Sequence, residues 1–183
     1  MSFLFTHFLI RSAQHTVLKL QNCELTTFGT IDFAFADGLC ITLKHDVGLL
    51  CGSHQNSKLC HYFDGARFIN APHTRLGHNS GGMATYRERA LIVAGHESDA
   101  NMDNYNLETE VWDSSEWTTI YNGSSLAALV NAQYSDFTLV ELESQIFAFG
   151  GMIDGVWTAS ESVFIFDNNG WRESGKSNIN FTS

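Results

Sequence analysis

The chain has 183 residues, of which 44% are hydrophobic and 13% aromatic, and its formal net charge is −10. This length supports one substantial hydrophobic core, so we expect a single domain over residues 1–183. The ten basic residues are scattered among twenty acidic ones, which argues against nucleic acid as a partner. No apolar run approaches the roughly 18 residues that span a bilayer, so we expect no membrane span. Fifteen glycines, one proline and many aromatic residues favour β structure.

The N-terminal segment, residues 1–36, is predicted to contribute one hairpin. Its opening stretch, Met1 to Gln14, is apolar but lacks the basic start and the cleavage site of a signal peptide. The stretch Thr16 to Leu25 can be laid on a hairpin block that recurs later in the chain, with Gln21 in the turn. We therefore expect residues 1–36 to supply the outer hairpin of a partial structural unit.

Two sequence blocks then alternate along the chain. The first block is an apolar strand, a polar centre and a second apolar strand that stops at a glycine. Its copies are Leu39 to Ser53, Gly82 to His96 and Phe137 to Gly151, with the glycines at Gly52, Gly95 and Gly150. Two apolar strands around a polar centre are the pattern of a β-hairpin.

The second block follows each copy of the first. Its copies are Leu59 to Phe68, Glu108 to Trp117 and Ser162 to Trp171. In each, an apolar strand meets an aspartate beside Gly, Ser or Asn, which favours a tight turn, and the chain returns to a large aromatic residue. The aspartates are Asp64, Asp113 and Asp167, and the aromatics are Phe68, Trp117 and Trp171. This block predicts a second hairpin.

Two hairpins per unit predict a four-stranded antiparallel sheet that recurs with a period of about 50 residues, which is typical of β-propeller blades. The predicted blades are residues 37–73, 74–128 and 129–183, the last including a tail. The glycine frees the backbone where strands crowd, and the aromatic residue fills the space between neighbouring blades.

These residues resemble the kelch repeat family of β-propellers, whose mark is a strand ending in two glycines, followed by an aromatic residue and a tryptophan. The stretch "IFAFGG", ending in Gly150 and Gly151, matches it together with Trp171. In the other two copies, Ser53 and His96 stand in place of the second glycine. The resemblance implies an all-β, kelch-type propeller of about three full four-stranded blades plus an N-terminal half-blade.

Such a ring would be incomplete or open, because closed propellers have at least about four blades. The alternatives are a fragment of a longer propeller, an open arc, and a protomer that closes the ring by self-association with another copy.

The four cysteines are predicted to pair. Cys51 ends the second strand of the first blade and Cys60 begins the third, so antiparallel pairing would place them side by side. A second disulfide between Cys23 and Cys40 would join the N-terminal hairpin to the first blade.

Two other interpretations of the cysteines remain open. One is a zinc site of Cys51, Cys60, His54 and His61, although in a strand His61 should point away from the face of Cys60. The other is four reduced, buried cysteines.

Two glycosylation sequons, at Asn122 and Asn180, together with the cysteines favour a secreted or extracellular protein, with the cytoplasm as the alternative.

The sequence contains no recognisable catalytic arrangement, since no nucleophile with a base, acid and base pair, or metal set occurs at a known spacing. We therefore expect no enzyme, no cofactor and no metal. His73, His78 and His96 could converge on one face, but we interpret them as solvated loop residues, and "HNSGG" from His78 as a polar connector. A copper-oxidase-like enzyme is the third alternative for the function.

A binding module for another protein or a glycan is the leading hypothesis, because the resemblance implies that loops gather on one propeller face. The candidate binding residues are His96, Glu97, Asp99, Met102, Asp103, Tyr105 and Trp157. They would offer an acidic, partly aromatic surface, or the acids would only solubilise an insertion. The second alternative is an intracellular kelch module for substrate recognition or actin binding that acts with a separate adaptor.

Overall fold

The computed structural model of the protein is all-β. It describes residues 7–11, 16–21, 24–30, 38–43, 47–53, 55–64, 66–97, 105–113, 115–121, 135–153 and 158–176. Residues 7–11, 16–21, 24–30, 105, 135–136, 152–153 and 158–159 are described by their backbone alone. Every regular element in these ranges is a β-strand, so they contain no helix that could cross a membrane.

The described strands form four antiparallel sheets, in which the strands lie side by side in chain order. The first sheet contains β1 (His7–Arg11), β2 (Thr16–Gln21) and β3 (Glu24–Thr30). The second contains β4 (Leu39–Thr42), β5 (Gly48–Ser53), β6 (Asn56–Phe63) and β7 (Phe68–Ala71). The third contains β8 (Gly82–Tyr86), β9 (Arg89–His96), β10 (Tyr105–Trp112) and β11 (Trp117–Tyr121).

The fourth sheet contains β12 (Ser135–Leu142), β13 (Gln145–Ile153), β15 (Ser162–Asp167) and β16 (Gly170–Lys176), with the short β14 (Thr158–Ala159) paired to β13. The predicted four-stranded antiparallel sheets are therefore present in all three repeat units. In the N-terminal segment the predicted hairpin is β2–β3, and β1 adds a third strand that the sequence pattern had not predicted.

Side-chain hydrogen bonds close the turns between the last two strands of each sheet. The Asp64 carboxylate accepts the backbone N–H groups of Ala66 and Arg67, both at 2.9 Å. These bonds hold the pKa of Asp64 below its ordinary value, and bonds from Glu116 and Ser115 do the same for the pKa of Asp113. Asp167 accepts the N–H of Asn169 in the equivalent turn. The aspartates recur because each carboxylate accepts hydrogen bonds from backbone N–H groups that have no backbone partner in a tight turn.

The positive φ angles at the end of the second strand show that the sequence alignment of the repeats was wrong by one residue. The shift lies between the third sheet and the fourth. In the fourth sheet Gly150 and Gly151 have φ angles of 66° and 91°, and in the third sheet the matching pair is Ala94 and Gly95, at 56° and 111°. Gly95 is therefore equivalent to Gly151, and Ala94 stands where the first glycine was expected. His96 does not replace the second glycine, contrary to the sequence alignment.

Two hydrophobic clusters join the sheets face to face. The cluster between the second and third sheets contains Leu49, Cys51, Cys60, Ala71, Met83, Ala90, Ile92, Trp112 and Trp117. The cluster between the third and fourth sheets contains Ala84, Tyr86, Leu91, Val93, Val111, Phe137, Leu139, Ile146, Ala148, Phe164, Phe166 and Trp171, together with Ala94. The third sheet thus buries both of its faces.

The aromatic residues at the start of the outermost strands lie at these junctions. The Trp117 indole donates a hydrogen bond to the Pro72 carbonyl of the second sheet's connector, at 3.1 Å. The Trp171 indole donates to the Thr109 hydroxyl of the third sheet, at 2.8 Å. Phe68, which is half-buried, instead packs on Phe63 of its own sheet, with ring centroids 4.8 Å apart.

Candidate functional site

The connector from the second to the third sheet, residues 72–81, lies along the rim where β5 meets β6 and β9 ends. Its backbone is fixed there by hydrogen bonds, because the N–H of Thr74 donates to the Lys58 carbonyl at 3.0 Å and that of His78 to the Ser57 carbonyl at 2.9 Å. Two further backbone bonds join Asn79 to His96, the last residue of β9. We call this surface, residues 53, 55–58, 72–81 and 96–97, the loop rim.

The exposed side chains of the loop rim stand on this fixed backbone. Pro72, His73 and Arg75 are exposed on the connector. Lys58 forms an ion pair with Glu97 at 3.2 Å and also donates to the Arg75 carbonyl, which ties the rims of the second and third sheets together. The Ser57 hydroxyl donates to the Glu97 carbonyl.

Few of the predicted binding residues have described side chains. Glu97 is half-buried in the ion pair with Lys58, and His96 is buried in β9 at 5% exposure, so it offers no surface to a partner. Tyr105 begins β10 and its backbone pairs with His96. The remaining candidates, Asp99, Met102, Asp103 and Trp157, and the sequons at Asn122 and Asn180 lie outside the described residues.

The predicted disulfide between Cys51 and Cys60 is present. The two residues are direct partners in the β5–β6 ladder, their Cα atoms are 4.2 Å apart, and both side chains are fully buried. Because both thiols are consumed, the zinc interpretation is excluded, and His61 points away from Cys60 as the strand geometry predicted. The second predicted disulfide is not formed, since Cys40 is a free, exposed cysteine, and Cys23 lies outside the described residues.

A buried histidine and a buried glutamate hold the connector to the third sheet. His78 and Glu110 are both fully buried, and the His78 Nε2 lies 3.1 Å from the Glu110 Oε2. The same oxygen accepts the N–H of Arg75 at 3.0 Å, and the other ring nitrogen, Nδ1, lies 2.6 Å from the Ala94 carbonyl. The other carboxylate oxygen, Oε1, has no hydrogen-bond partner among the described residues. His78 is thus a buried anchor rather than the solvated loop residue that was predicted.

These contacts fix where protons lie. A carbonyl oxygen only accepts, so the Nδ1 of His78 must carry a proton and donate it to Ala94. The contact between Nε2 and the Glu110 carboxylate then requires a second proton, because two lone pairs would otherwise face each other. The pair therefore holds either an imidazolium beside a carboxylate or an imidazole beside a carboxylic acid, and in both cases it is neutral overall.

Sequence reasoning missed this pair, although one signal was present. Glu110 aligns with His61 and Phe164 in the second repeated block, and both of those residues are buried. A carboxylate at a position that is otherwise buried demands a partner. The partner, His78, lies in a connector 32 residues away, and no strand pattern points to it.

The inner strands β4, β8 and β12 line an open cleft of about 620 Å³. Its walls are Leu39 to Thr42, Met83 to Thr85 and Phe137 to Glu141, so it presents the free Cys40 among threonine and aliphatic side chains. In the described part of the chain, no three His, Cys, Asp or Glu side chains are grouped to hold a metal ion.

Comparison with known proteins identifies the fold alone. No family model matches the chain, and no curated protein matches it. Among solved structures it is similar to the one titled "Structure of YjhT", with a TM-score of 0.76 and 9% sequence identity. The match covers all of this chain and 68% of that one, so the arrangement of sheets described here recurs in a longer chain of very different sequence.

Proposed function

We propose that the chain is a kelch-type propeller arc that acts as a non-catalytic binding module and holds another protein on its loop rim. The observation that carries this proposal is the hydrogen-bonded connector, which presents His73 and Arg75 in the open on a fixed backbone. A surface fixed before binding loses little conformational entropy when a partner docks. Arginine is also among the residues that contribute most at protein interfaces.

A photo-crosslinking amino acid placed at His73 tests the binding site. The matched control is the same amino acid at Arg67, which is 77% exposed in its side chain but lies in the turn at the opposite rim of the second sheet. We expect one protein from native extract to be captured from position 73 and not from position 67. Capture of a glycoconjugate through its sugar would identify a glycan partner instead, and equal capture from both positions would contradict the proposed site.

The affinity of the captured protein provides the second measurement. Replacing Arg75 by alanine should weaken its binding by about tenfold or more, the usual size of a central interface contact. The Arg67→Ala variant should bind as the unmodified protein does. Equal affinities of the two variants would exclude the loop rim as the binding surface.

The buried disulfide supports a secreted or extracellular location for this module, because such bonds persist in oxidising compartments. The alternative, an intracellular recognition module with a separate adaptor, requires Cys51 and Cys60 to be reduced. Intact mass spectrometry of the protein from its native source, with and without alkylation of free thiols, distinguishes the two.

A further inference from the structure

The fourth sheet has a second apolar face, opposite the one that packs on the third sheet. Val140, Phe147 and Ile165 are direct neighbours across β12, β13 and β15, so their side chains share this face. Leu142 and Phe149 follow two residues away along the strands and extend the same row. We call these five residues the outward face.

The outward face repeats a surface that is already an interface inside the chain. The hairpin turns Arg87-Glu88 and Glu143-Ser144 share positive φ angles and superpose the third sheet on the fourth. In this register the five residues correspond to Ala84, Tyr86, Leu91, Val93 and Val111 of the third sheet. All five of those counterparts are buried in the cluster that receives the fourth sheet.

Exposure distinguishes the two surfaces. Val140 is 45% exposed and Leu142 58%, whereas their counterparts Ala84 and Tyr86 are 5% and 4% exposed. Phe147 and Phe149 are half-buried and stack on each other, with ring centroids 6.0 Å apart, whereas Ile165 beside them is already buried at 6% exposure. Removing this apolar area from water would favour association.

We propose that a second copy of this chain packs one of its sheets on the outward face. At the junction of the third and fourth sheets, the counterpart positions pack against a sheet of this same chain. The outward face should therefore fit a sheet of the same shape. The charges at the outer end of the row, Arg172 and Asp167, pair with each other at 3.4 Å and leave no net charge to select another class of partner.

Sedimentation equilibrium of the full chain over a wide range of concentration tests this proposal. We expect a reversible dimer, and we expect the double variant Val140→Lys, Leu142→Lys to raise its dissociation constant by about tenfold or more. Both positions are exposed in the monomer, so the variant should keep its free energy of unfolding, which urea denaturation checks.

The matched control is the double variant Ile69→Lys, Ile120→Lys, whose residues are 41% and 42% exposed but lie on the outermost strands of the second and third sheets. It should dimerise as the unmodified chain does. A chain that stays monomeric at every concentration would overturn the proposal, and so would an equal loss of dimer in the two variants. Loss of partner capture at His73 would leave this result unchanged, so the two proposals fail separately.

Discussion

At the scale of single residues, the most consequential feature is a buried pair that joins a connector to a strand. The His78 ring contacts one oxygen of the Glu110 carboxylate between the third sheet and the connector, and the backbone N–H of Arg75 donates to the same oxygen. Removing one member of such a pair leaves the other buried and uncompensated, which is costly, whereas the pair itself contributes modestly to stability.

Replacing His78 by alanine should therefore lower the free energy of unfolding by about 3–5 kcal/mol, because the Glu110 carboxylate would stay buried without its partner. Urea denaturation measures the loss. The control is His73→Ala five residues earlier, which removes an exposed imidazole and should change stability by less than about 0.5 kcal/mol. Similar values for the two variants would show that the buried pair does not hold the connector.

Residue patterns predicted the turns but not every special backbone position. The aspartates at 64, 113 and 167 were identified from sequence because their bonds are local and recur at the same place in each unit. The positive φ angle of Ala94 was not, because a sequence alignment matches glycine with glycine and so shifted the third sheet by one residue. The structure shows that the backbone position is shared while the residue type is not.

At the scale of strands, the disulfide between β5 and β6 closes the hairpin of the second sheet. The repeat placed both cysteines in facing strands, which made this pairing possible, but it left a zinc site and reduced thiols open until the bond was seen in the structure. The failed pairing of Cys23 with Cys40 was proposed from an even cysteine count, which says nothing about distance.

Reducing the Cys51–Cys60 bond should lower the free energy of unfolding by about 2–3 kcal/mol, the value expected for a closed loop of this size. Denaturation with and without reductant measures this difference in the same chain. The variant Cys40→Ala, in which the free thiol is removed, should show the same difference between the two conditions. A stability that does not respond to reductant would mean that the paired strands hold the hairpin without the bond.

At the scale of the whole molecule, the sheets depend on their neighbours. Trp117 and Trp171 occupy equivalent places at successive junctions between sheets. The indole N–H of each donates a hydrogen bond to the preceding sheet or to the connector that follows it. The repeat predicted where these residues lie, since each falls within the first two residues of the outermost strand of its sheet. It could not predict their partners, Pro72 and Thr109, because those depend on the angle between sheets.

Replacing Trp171 by alanine should expose amide protons of the fourth sheet to hydrogen exchange while the second sheet keeps its protection, because the two hydrophobic clusters are separate. The variant Trp117→Ala serves as the reciprocal control and should instead release the second sheet from the third. Uniform loss of protection across all sheets in both variants would mean that the chain unfolds as one cooperative unit.

The aspartate turns have a consequence for how such a chain can change. The Asp64 carboxylate accepts the backbone N–H groups of Ala66 and Arg67 within its own turn, which lies at the rim opposite the connector. Peptides inserted beside this turn would leave the intersheet clusters and the loop rim as they are. The repeat thus predicts that tolerance to insertion is confined to this rim of the molecule.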